Sequence, residues 1–122
     1  MSAECNVNVI AKLTGLGDIQ EFAKRFSTTA TPTRAIYHYA VQDTADTAQA
    51  LEVGDVGTIE LIILKCVSND VDIDTSYVSS FSAEIEVQEG ELTIFKPTGT
   101  VYIQNDDAGE TSTVEYLVIG TS

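Results

Sequence analysis

Tryptophan is absent, histidine and methionine occur once each, and proline and cysteine occur twice. Six lysines and arginines stand against nineteen aspartates and glutamates. Each scarcity removes a class of chemistry. The single histidine, His38, sits in an alternating apolar segment on the face opposite Tyr37 and Tyr39, and nothing near it completes a Ser/His/Asp set. Cys5 and Cys66 are 61 positions apart, in no metal-binding or redox spacing. They read as two free thiols, one near the N-terminus and one in a buried strand. Only Lys65 offers a neighbouring positive charge that would lower a thiol pKa. No glycine-rich phosphate loop is present. The longest apolar run, "LIIL" at 61–64, falls far short of the roughly 18 residues of a membrane span. The opening "MSAECNVNV" has no basic stretch followed by an apolar one, so no secretory leader is expected and folding in a cytoplasm is.

Positive charge is scarce and unevenly placed. Residues 1–40 hold Lys12, Lys24, Arg25 and Arg34 against Glu4, Asp18 and Glu21. The rest of the chain holds Lys65 and Lys96 against sixteen carboxylates. A formal charge of −13 repels phosphate, which argues against nucleic acid as a partner. It also keeps a protein made in many copies from loose self-association. Acidity alone accounts for solubility; it does not account for the polarity.

What is abundant is alternation. At 122 residues and 43% hydrophobic composition the chain is long enough for one core, so we expect one domain over 1–122. In "FSAEIEVQ", Phe81, Ala83, Ile85 and Val87 share one face while Ser82, Glu84, Glu86 and Gln88 share the other, the pattern of a strand wet on one side. "NVNVIAKL" places Val7, Val9, Ala11 and Leu13 together, and "AIYHYAV" does the same for Ala35, Tyr37, Tyr39 and Val41. "TIELIILKCV" is apolar on both faces, as a central strand is. "ELTIF", "TVYIQ" and "TVEYLVIG" complete the set. Turn residues separate them: Gly17-Asp18, Gly54-Asp55, Ser68-Asn69-Asp70, Glu89-Gly90, Pro97-Thr98-Gly99 and the run 106–109. This punctuation predicts an all-β fold, a jelly-roll-like sandwich of seven or eight antiparallel strands.

"DIQEFAKRF" reads two ways. Asp18 three residues before Glu21 forms a capping-box pattern, and Ile19, Phe22, Ala23 and Phe26 fall on one helical stripe. Phe22, Lys24 and Phe26 also alternate, and Gly17-Asp18 would turn the chain back from the first strand. The second reading, a strand, is the one adopted.

Candidate chemistry is thin. In "NDVDIDT" at 69–75, Asp70, Asp72 and Asp74 would line one edge of an extended segment, and carboxylate oxygens suit calcium. The loop has neither the glycine nor the distal glutamate of a helix–loop–helix calcium site, and a half-buried strand gives the same alternation. Asp106, Asp107 and Glu110 read as a hairpin tip. Carboxylates spread over turns and outer faces do not make an active site. The expectation is a protein that is not an enzyme, with no cofactor, metal or catalytic residue.

Together, "ALEVGDVGTIELIILK" and "VQEGELTIFKPTGTVYIQNDDAGETSTVEYLVIG" resemble small virion structural proteins of tailed bacteriophages, over about residues 50–120. The resemblance is carried by a leucine–glycine–aspartate-type step before the strand at 59–65, the Gly90-Glu91 turn and a terminal "VEYLV" strand at 114–118. It implies a head decoration (cement) protein, located in the virion and assembled in the host cytoplasm. A neck, tail or fibre-associated module binding host glycans is the alternative, with Tyr77, Asp74 and Asn69 as its corner. Partners implied are the major capsid protein or other virion proteins, with no membrane and no nucleic acid. The chain itself is expected to form a homo-oligomer, a trimer ahead of a dimer. Because phage capsid exteriors are commonly acidic, the positive N-terminal region is the expected footing. Its contact residues are Lys12, Phe22, Lys24, Arg25, Phe26 and Arg34.

Overall fold

The computed structural model describes residues 3–28, 30–43 and 46–122; the side chains of residues 36–43, His38 among them, lie outside the description. Ten strands follow in order: β1 (Asn6–Leu13), β2 (Gln20–Ser27), β3 (Arg34–Asp43), β4 (Gln49–Ala50), β5 (Thr58–Ser68), β6 (Val71–Tyr77), β7 (Ile85–Val87), β8 (Leu92–Phe95), β9 (Thr100–Asn105) and β10 (Thr113–Thr121). No helix occurs among the described residues. The segment with two readings is therefore a strand: a lone capping box does not outweigh cross-strand pairing along all eight residues of β1.

Strands β3 to β10 make two antiparallel four-stranded sheets, ordered β3-β10-β5-β8 and β4-β9-β6-β7. They are called the β5 sheet and the β6 sheet below. Every connection except β6 to β7 crosses from one sheet to the other, which is the winding of a jelly roll. Alternation explains the core. Ile62, Leu64 and Cys66 of β5 and Val114, Tyr116 and Val118 of β10 point inward from one sheet. Val71 and Ile73 of β6 with Val101 and Ile103 of β9 meet them from the other. Each such burial contributes about 1.5–3 kcal/mol. The Tyr116 hydroxyl finds the Glu52 carbonyl at 2.7 Å, and burial pushes its pKa up to about 12.

Two irregularities fix the register. β10 is bulged against β5 between Ile119 and Gly120. At Gly120 a side chain has no room, because an added Cβ would run into the Thr58 carbonyl and the Val56 side chain. At the start of β6, Asn69 takes a φ of 56°, a conformation asparagine tolerates.

The sequence expectations differ from the fold in three places. Among the described residues the strand count is ten, not seven or eight: the two-residue β4 carries no pattern, and the 69–75 segment, read for its carboxylates, belongs to a further strand, β6. The strand anticipated over 81–88 shrinks to Ile85–Val87. Its first half is drawn off by side-chain bonds: Asp74 accepts from Ser82 N at 3.0 Å, and Glu84 accepts from Thr75 Oγ1 at 2.8 Å. The third difference matters most. Among the described residues β1 and β2 pair only with each other and stand as a separate two-stranded ribbon.

Candidate docking surface

The ribbon, or arm, is closed at its base by Thr28 N donating to Cys5 O at 3.1 Å. Residues 14–19 turn it back at the tip, where Gly15 and Gly17 adopt φ of 97° and 91°. Register then sorts its side chains. Val7, Val9, Ala11 and Leu13 share a face with Phe22, Lys24 and Phe26. Asn6, Asn8, Ile10 and Lys12 share the other with Glu21, Arg25 and Ser27. Only Val7 is buried. Ile10 is 77% and Leu16 78% exposed, and Leu13, Ile19, Phe22 and Phe26 are exposed as well. A bare ribbon is at best marginally stable in water. Such a concentration of exposed apolar side chains marks a contact surface.

The apolar face of the arm looks across a cleft of about 740 Å³ to the β5 sheet, with Leu61, Leu92, Ile94 and Phe95 on the far wall. Lys96 on that wall is paired with Glu60 at 3.2 Å. The outward residues of this sheet are themselves mostly apolar: Leu61, Ile63, Leu92, Ile94, Leu117 and Ile119, with Lys65 and Glu115 as the charged pair opposite one another. Leu61 and Ile119 are buried yet stand apart from the core between the sheets. Beyond the cleft, Ile63, Leu92 and Leu117 with Lys65 and Glu115 surround a smaller hollow of about 180 Å³.

The outward face of the β6 sheet is different. One carboxylate oxygen each of Asp70, Glu86 and Asp106 lie within 4.8 Å of one another. Asp72 stands opposite Glu86 in register, and partial burial together with the Asp106 charge raises its pKa to about 6. Asp74 does not join them. It accepts from Ser76 N at 2.9 Å and Ser82 N at 3.0 Å, and these backbone donors hold its carboxyl below the usual range. The 69–75 carboxylates are thus split between an outward cluster and an internal brace. Tyr77 stacks on Tyr102 with ring centroids 3.6 Å apart. Asn69, at the other end of β6, donates to Thr111 O at 2.7 Å. Tyr77, Asp74 and Asn69 therefore do not converge on one corner.

Of the anticipated contact residues, Lys12, Phe22, Lys24, Arg25 and Phe26 all lie on the arm, and among the described residues none of its cations is in an ion pair. They divide between its faces: Phe22, Lys24 and Phe26 toward the cleft, Lys12 and Arg25 away from it. Arg34 lies elsewhere, at the start of β3, paired with Asp55 at 3.0 Å. The sequence reading did not single out Ile10, Leu13, Leu16 and Ile19 on the arm, nor Ile63, Leu92 and Leu117 on the sheet. A signal for the second group existed in the two-faced apolarity of β5. Both cysteines are free, and burial, with Asp70 and Glu89 nearby, lifts the Cys66 thiol to about 11. It stays protonated at neutral pH. No protein family, curated protein or solved structure matches the chain.

Proposed function

We propose that this chain is a non-enzymatic virion structural protein, a capsid decoration (cement) protein that attaches to the capsid surface and stabilises the particle. The single observation that carries the binding part of this reading is the arm. It presents exposed apolar side chains and three cations with no ion-pair partner among the described residues, on a chain of net charge −13. The virion setting rests on the resemblance over residues 50–120. The chemistry accords with attachment: the braced jelly roll keeps its shape, while Lys12 and Arg25 face away from the cleft, where an acidic partner surface would meet them. Binding across subunit joints stabilises the bound particle by linkage.

Two measurements test the reading. Gel densitometry of purified virions should give hundreds of copies per particle, whereas a dozen or fewer would place the protein at the neck, tail or fibre base. The double variant Lys12→Glu/Arg25→Glu should weaken binding to undecorated capsids and flatten its salt dependence. Unchanged affinity and salt dependence would remove the arm from the contact.

A further inference from the structure

We propose that the arm tip of one copy seats in the hollow on the β5 sheet of a second copy. The tip presents Leu13, Leu16 and Ile19, all exposed and none of them lining the cleft between the arm and its own sheet. The hollow between Ile63, Leu92 and Leu117 is apolar and about 180 Å³ in volume, room for one or two such side chains. The molecule therefore carries a knob and a matching socket that do not meet within one chain.

Charge argues for a second copy as the occupant. Two chains at −13 repel each other across most approaches, above all through the carboxylate cluster of the β6 sheet. The two faces named here escape that repulsion. Around the tip stand Lys12, Asp18 and Glu21; around the hollow stand Lys65 and Glu115, one charge of each sign. Contact through them leaves both acidic faces in water. Reach is sufficient, since an eight-residue strand extends about 26 Å. Because knob and socket are different patches, copies join either by reciprocal exchange of arms in a dimer or head to tail in a ring or chain. The proposal shares the arm with the attachment function above but uses its apolar tip, not Arg25 at the far end of the ribbon.

Cross-linking tests it in solution with no capsid present. Copies carrying Cys5→Ser with Leu16→Cys are mixed with copies carrying Cys5→Ser with Leu117→Cys, one of them size-tagged, at about 50 μM under mild oxidation. The mixed disulfide should exceed by tenfold or more that formed with Gln104→Cys, whose site lies on the β6 face. Equal yields would overturn the proposal. In sedimentation, the unmodified chain should exceed its 13.1 kDa monomer mass and Leu16→Asp/Ile19→Asp should return to it with unchanged thermal unfolding. A monomeric unmodified chain at 100 μM, or an assembled double variant, would also overturn it. Arg25→Glu, remote from the tip opposite Asn8, should weaken capsid binding and leave the cross-link intact, so failed self-association and failed capsid binding remain separable.

Discussion

Leu64 on β5 and Ile73 on β6 are both fully buried between the two sheets. Their chain neighbours Ile63 and Asp72 point outward and have nothing in common. Around Ile63 the outer face is aliphatic; around Asp72 it is a set of carboxylates crowded enough to raise one pKa. Alternation alone builds the shared interior, so the residues facing out are free to diverge. What they diverge toward is a contrast in chemistry: one outer face apolar, the other acidic.

The largest effects should fall where the two faces do not differ. Leu64→Ala and Ile73→Ala should each cost about 2–5 kcal/mol in chemical denaturation. A loss under about 1 kcal/mol at either would mean that the two sheets do not share one core. Next comes a contrast between the buried brace of the β6 sheet and the open face of the β5 sheet. Asp74→Ala strips two charge-assisted backbone bonds and should cost about 1.5–3 kcal/mol. Leu92→Ser, exposed on the outer face of the β5 sheet, should stay within about 0.5 kcal/mol. Equal losses would erase the distinction.

A modest effect concerns pH. Asp72 titrates at about 6 in the fold against a carboxylate's ordinary 3.8. A raised acid binds its proton more tightly when folded, so stability should rise as pH falls from 7 toward 4. For a group this accessible the gain is about 1 kcal/mol after solvent screening. Below about pH 4 the trend reverses as Asp46 and Asp74, both held low by hydrogen bonds, take up protons. Asp72→Asn should raise the melting temperature at pH 7 and flatten the profile between pH 4 and 6. A steeper profile in the variant would contradict the assignment.

Much of the body was legible because period-2 patterning survives burial: β1, β3, β5, β9 and β10 stand where "NVNVIAKL" through "TVEYLVIG" put them. β4 was not, since two residues carry no period. The loss of strand at 81–84 was hidden because Glu84 looks like any outward carboxylate until its partners on β6 are in place. Periodicity also says which residues share a face but not whether that face meets anything. It therefore grouped Val7 with Val9 and Leu13 without revealing that only Val7 is buried. Lys24 and Arg25 could have been separated at once, because adjacent strand residues point opposite ways. The carboxylate cluster could not, since it takes cross-strand register to bring Asp70, Glu86 and Asp106 together.

Amide hydrogen exchange of the full chain, free at low concentration and bound on intact particles, tests the division of faces most directly. In the free chain the arm should exchange rapidly and the inward strands of the body slowly. On the particle, amides of β1, β2 and the tip at 14–19 should become protected while those around the carboxylates at 70–74 and 104–107 keep their free rates. Protection gained at the acidic face with the arm unchanged would contradict the account.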